Sequence, residues 1–185
     1  MTTVMTPAGV DGAFTIDDLD HFPQDSNRYE LIEGSLHVTP APVPMHQRID
    51  MNLRYLLRAA CPAAFEVLGA PLDLQLGVDT MVQPDLLVVP AGPLPAKRLE
   101  GAPLLVVEIL SPTTRLYDLG TKRMAYREAG VGAYWVVDPV VPSLTSWRWD
   151  GDAETEVLAT GDEPATFAWP FAVAVTPARL LLAGG

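Results

Sequence analysis

PLLVVEIL, residues 103–110, is apolar at every position except Glu108. A run apolar on both faces suits a strand in the middle of a sheet. A second run, PDLLVV (84–89), and a third, AYWVV (133–137), have the same character. Between the last two, Ser111-Pro112-Thr113-Thr114 leads into a segment with helical periodicity over about 117–129, closed by Gly130. Buried strands alternating with helices predict an α/β domain with a central mixed sheet.

Outward from this centre, Met45 to Ala60 predicts a helix. Ile49, Leu53, Leu56, Leu57 and Ala60 form one stripe at 100° per residue, and Pro62 ends the segment. Tyr29 to Val38 predicts an N-terminal β-hairpin turning at Glu33-Gly34. Thr15-Ile16-Asp17-Asp18 reads as the start of a short helix capped by Thr15. Phe65–Leu68 and Leu72–Leu76 are short strand candidates, and Thr145–Trp149 with Thr155–Leu158 predict a further hairpin. Thr176-Pro177 starts a short C-terminal helix through about Leu182. Residues 1–14 read as a flexible lead-in to one domain over 15–185.

Composition limits the function classes. The chain has 185 residues and a formal net charge of −11. Its basic side chains are ten arginines and two lysines, Lys97 and Lys122. Nucleic-acid affinity draws heavily on phosphate-neutralising cations, so a DNA-coating role is disfavoured. A local basic strip on an acidic body, or a metal bridging carboxylates to a phosphate, stays open. Lys97, Arg98, Arg123 and Arg127 are the candidates for such a strip. The single cysteine, Cys61, excludes an internal disulfide and a thiolate zinc cluster. No apolar run reaches the ~18–20 residues of a membrane helix, and the N-terminus lacks a signal-peptide pattern. A cytoplasmic location is the expectation.

Alternation places Glu108 with Leu104, Val106 and Leu110, and Asp85 with Leu87 and Val89. If the two strands are antiparallel neighbours, the acid at the start of one meets the acid at the end of the other. Two carboxylates with a few further oxygens are hard ligands of the kind Mg²⁺ prefers; the alternative is that each acid is bound by an arginine or a loop backbone. On the next helix, Asp118 and Lys122 share the inward face, where their spacing also permits a plain salt bridge. His46 opens its helix on the apolar stripe and is able to accept a proton or ligate metal. Glu30 lies in a short aromatic and aliphatic strand.

Taken in order, YELIEG (29–34), His46-Gln47, VQPD (82–85), GAPLLVVEILSP (101–112), Asp118 with Lys122 and Tyr126, and AGVGAYWVVDP (129–139) resemble the Uma-type restriction endonuclease family of the PD-(D/E)xK nuclease-like superfamily. The resemblance spans roughly residues 15–182. It implies a restriction-endonuclease-like fold and a Mg²⁺-dependent endonuclease, with Mn²⁺ as substitute, hydrolysing DNA by metal-activated water. In that reading Asp85, Glu108 and the Ile109 carbonyl hold the metal. The family's E-x-K lysine would fall at Leu110; the resemblance moves it to Lys122. Glu30 and His46 match additional polar positions of the site. A homodimer is implied as well. The rival class is a binding or structural module that keeps the fold without turnover.

Overall fold

The computed structural model describes residues 3–5, 13–23 and 25–184. The strands are β1 (Thr3–Met5), β2 (Arg28–Ile32), β3 (Ser35–Thr39), β4 (Phe65–Gly69), β5 (Leu74–Gln75), β6 (Met81–Val82), β7 (Leu86–Pro90), β8 (Leu99–Glu100), β9 (Leu105–Ile109), β10 (Ala133–Asp138), β11 (Ser143–Asp150), β12 (Ala153–Thr160), β13 (Ala165–Phe167) and β14 (Val173–Val175). The helices are α1 (Ile16–Leu19), α2 (Pro44–Ala60), α3 (Arg115–Tyr117) and α4 (Arg123–Glu128). A π-helical turn, Asp118–Lys122, joins α3 to α4, and a 3₁₀ turn spans Pro177–Leu181.

The mixed central sheet has the order β12-β11-β10-β9-β7-β4. The three apolar runs lie side by side in it: β7 is antiparallel to β9, and β9 is parallel to β10. One face carries Leu86, Val88, Leu105, Val107, Ala133, Trp135 and Val137 and packs under Ile49, Leu53 and Leu57 of α2. These three α2 side chains are fully buried, so truncating any one to alanine costs about 2–5 kcal/mol. The other face carries Leu87, Val106, Tyr134, Val136 and Trp147, covered by Tyr126 of α4.

The hairpin over 29–38 is not an appendage of this sheet. It forms the centre of a second sheet, ordered β1-β3-β2-β6-β5-β8. Its turn has φ of 49° at Glu33 and 73° at Gly34, the paired positive values of a tight two-residue hairpin turn. Within the expected lead-in, Thr3–Met5 pairs with β3, while residues 1–2 and 6–12 lie outside the described residues. Thr15 caps α1: its hydroxyl accepts from the Asp18 amide, and the Asp18 carboxylate accepts from the Thr15 amide at 2.7 Å.

Two of the elements that carry the site differ from expectation. The strand expected at Pro84 begins at Leu86, leaving Pro84 and Asp85 in the lead-in, as fits a residue with no N–H to donate. The helix expected over 117–129 starts at Arg115 and is interrupted by the π turn.

Candidate functional site

The register Leu86↔Val107, continued by one residue, sets Asp85 opposite Glu108 where the start of β7 meets the end of β9. Both side chains fall on the sheet face that carries Leu87 and Val106. The N-terminal turn of α2 brings His46, β2 brings Arg28 and Glu30, and the π turn brings Asp118 and Lys122. All six residues expected in the site therefore converge: Glu30, His46, Asp85, Glu108, Ile109 and Lys122 line one pocket of about 330 Å³. A second, more polar pocket of about 450 Å³ adjoins it, and Arg28, His46 and Asp85 border both.

Asp85 is held at each oxygen. Oδ1 lies 3.0 Å from Arg28 Nη2 and 3.1 Å from His46 Nε2, and Oδ2 accepts from the Ile109 amide at 2.8 Å. Glu108 Oε1 accepts from Lys122 Nζ and from the Tyr126 hydroxyl, both at 2.8 Å. Glu30 Oε1 lies 2.7 Å from Lys122 Nζ and accepts from the Gln83 amide at 2.8 Å. Lys122 is thus the joint between the two sheets. Its contact with Asp118, at 3.9 Å, is the longest of its three acid contacts, so the simple i, i+4 salt bridge is not its main role.

The electrostatics are unusual. Glu30, Asp85, Glu108 and Asp118 are 1–3% exposed. Against these four carboxylates the site sets two permanent cations, Lys122 and Arg28. Burial pushes Glu108 up to about 8; Lys122 opposes this, while Asp85, Asp118 and Glu30 add to it. Burial likewise raises Asp118 to about 6 against the pull of Lys122. Burial acts on Asp85 too, but the His46 hydrogen bond and the Arg28 charge outweigh it and hold Asp85 below the usual carboxylate range. Lys122 is held above the ordinary lysine value: burial works against its charge, and Glu108, Glu30 and Asp118 more than compensate.

The π turn explains the inward set of side chains. The wider turn buries Tyr117, Asp118, Lys122 and Tyr126 together, and such turns recur at functional sites. Tyr117 stacks on His37 with centroids 4.2 Å apart, and Lys122 Nζ lies 5.4 Å from the Tyr117 ring centre. His37 faces Glu30 across the hairpin. The Tyr117 hydroxyl and His37 Nδ1 are buried with no hydrogen-bond partner.

Arg28 is the site residue that the sequence reading passes over, although strand alternation puts it on the face of Glu30. The expected basic strip is not beside the pocket. Lys97 binds Asp20 at 2.7 Å, Arg123 binds Glu154 at 2.5 Å, and Arg127 lies 3.9 Å from the same Glu154. Neither these three nor Arg98 borders the two site pockets. Acids on neighbouring elements, which no local pattern reveals, draw three of the four away.

For a divalent ion the donor set is small. Among the described residues no three His, Cys, Asp or Glu side chains converge in a ligating group. An ion would rest on Asp85 and Glu108, with the Ile109 carbonyl and solvent. One or two protein carboxylates is the usual number for Mg²⁺, and the carboxylate excess suits a doubly charged cation. The residues fit such an ion.

These features define a restriction-endonuclease-like α/β protein. The family described as "Putative restriction endonuclease", Uma2, matches residues 16–172, and the chain belongs to it. Among solved structures, a "putative nuclease" of the DUF820 family from Anabaena variabilis superposes with a TM-score of 0.77 at 20% identity. The match covers 91% of this chain and 99% of that one, and at this identity it speaks to the fold alone. No curated protein matches the sequence. No helix among the described residues is long and apolar enough to cross a membrane.

Proposed function

We propose that this protein is a divalent-metal-dependent phosphodiester hydrolase acting on DNA, with Mg²⁺ as its ion and Mn²⁺ as substitute. The observation that carries the reading is the buried carboxylate excess, four acids against two permanent cations, lining one pocket, with Asp85 at its border with a second. Family membership points the same way.

Asp85, Glu108 and the Ile109 carbonyl would hold the ion. When bound, it supplies a Lewis acid for the phosphate and lowers the pKa of a nearby water. The chain does the rest. His46 orients the Asp85 carboxylate at Oδ1, and the Ile109 amide fixes its other oxygen. His46, whose Nε2 is directed at Asp85 Oδ1, would take a proton from the attacking water through Nδ1. Lys122 sets a fixed positive charge beside Glu108, where negative charge develops on the phosphate oxygens. Glu30 keeps that ammonium in place through its 2.7 Å contact. The water attacks phosphorus directly and no covalent enzyme intermediate forms. A homodimer, which would suit two cuts in a duplex, is part of the same reading.

The position of the surface cations favours a substrate with a small charge footprint, or else the rival reading of a scaffold without turnover. The deciding experiment is hydrolysis of single-stranded DNA, duplex DNA, RNA and a small phosphodiester, with Mg²⁺, with Mn²⁺ and with chelator. Metal-dependent cleavage of DNA, lost in Asp85→Asn, supports the proposal. Cleavage of the small diester alone moves the substrate class, and no cleavage of any substrate supports the rival.

A further inference from the structure

We propose that Arg28 is a phosphate-binding residue released by the metal: it neutralises Asp85 in the metal-free protein and turns to a substrate phosphate once a divalent ion takes that carboxylate. The inference rests on the metal-dependent reading above and adds to it a residue and a linkage.

Arg28 opens β2, and its side chain is 17% exposed, whereas Lys122 is 2% exposed. The cations around the site divide sharply. Lys122 is locked between Glu30 and Glu108. Arg54, also through Nη2 alone, holds both oxygens of Asp50 at 3.0 Å and borders only the more polar pocket, and Arg48 binds the Leu181 carbonyl. Arg28 is engaged through one nitrogen, Nη2, on one oxygen, Asp85 Oδ1. A guanidinium has five N–H donors, so most of its fork stays available at the shared border of the two pockets.

That oxygen is contested. Asp85 Oδ1 already has His46 Nε2 at 3.1 Å besides Arg28, while Oδ2 is tied to the Ile109 amide. Both lone pairs of Oδ1 are taken, so an ion coordinated through that oxygen at roughly 2.1 Å displaces one of its two partners. His46 is fixed by its helix, whereas Arg28 sits on a long side chain at a strand end. The displaced guanidinium would then be a partly buried charge without its partner, which is costly. A phosphate oxygen between the pockets restores a partner, and the planar fork suits it. Metal and phosphate should therefore promote each other's binding, equally in both directions.

The test is Mn²⁺ titration calorimetry on the full chain, with and without inorganic phosphate. It compares wild type with Arg28→Met and with Arg28→Gln, which keeps a hydrogen-bond donor beside Asp85 and guards against a folding failure of the first variant. Phosphate should tighten Mn²⁺ binding by wild type about tenfold. Either variant should bind Mn²⁺ alone more tightly than wild type and lose most of that gain. An undiminished gain in the folded variants overturns the role of Arg28. So does weaker Mn²⁺ binding by the variants alone, which would make Arg28 only an orienting partner of Asp85. Absence of Mn²⁺ binding in all three proteins overturns the metal site, and this proposal with it.

Discussion

Lys122 Nζ lies 2.8 Å from Glu108 Oε1, inside the protein and within the same pocket as Asp85. The ammonium that the family pattern would place at residue 110 reaches the same carboxylate from the following helix, because the π turn rolls it inward. Leu110, in the position of the missing lysine, is buried in the apolar cluster instead.

Replacing this lysine has two separable consequences. Lys122→Met leaves Glu30, Glu108 and Asp118 without their shared cation, and breaking a buried ion pair costs about 3–5 kcal/mol. If Lys122 also stabilises developing charge, turnover per folded molecule falls by roughly a hundredfold or more. Urea unfolding measures the first effect and single-turnover cleavage the second. A stability loss with undiminished turnover would reduce Lys122 to a structural role.

The pH dependence follows from Glu108. Its folded value, about 8, lies above its ordinary 4.5, so the metal-free fold binds a proton that the unfolded chain releases. The stability linked to that proton is fully present below about 4.5 and is lost as pH rises through about 8. Asp118, raised to about 6, adds a decline over a lower window. Glu108→Gln should flatten the upper part of the decline in thermal scans from pH 5 to 9. Mn²⁺ must displace the same proton, so its apparent affinity should rise from pH 6 to 8, by up to about tenfold per unit, and then level off. A pH-independent affinity would contradict this protonation state.

Gly34 tests how the second sheet delivers its residues. At φ 73°, a Cβ there would sit 2.2 Å from the Ala13 side chain. Gly34→Ala should cost roughly 1–3 kcal/mol through crowding and backbone strain. By loosening the hairpin that holds Arg28 on Asp85, it should also tighten Mn²⁺ binding in the absence of phosphate. Chemical denaturation and Mn²⁺ titration check the two parts. Unchanged metal binding in a destabilised variant would show that the hairpin turn does not control the site.

The parts of the fold legible in sequence were those with unbroken patterns. Three apolar runs became three adjacent strands, and alternation gave the face of Asp85 and of Glu108 within each run, while the antiparallel register of β7 and β9 brought the two acids together. Glu30 and His46 gained weight only through the family resemblance, since one polar residue in a short strand or at a helix start is ordinary. The second sheet was hidden because β5, β6 and β8 are two residues long, too short for any periodicity. A regular helical wheel cannot contain a π turn, so Tyr117 fell at the edge of the expected helix rather than in its buried face. The ion pairs that carry Lys97 and Arg123 away from the pocket join residues 77 and 31 positions apart.

Asp85 and Glu108 are proposed to form one divalent-cation site together. Thermal unfolding at pH 8 with and without Mn²⁺, for wild type, Asp85→Asn and Glu108→Gln, tests it most directly. At about a hundred times Kd, the ion should stabilise wild type by about 2.7 kcal/mol. For a chain of this size that is a rise in Tm of roughly 5–10 °C. Wild type should show this rise and both variants should lose it; no rise in wild type, or an equal rise in either variant, would rule out a site shared by the two carboxylates.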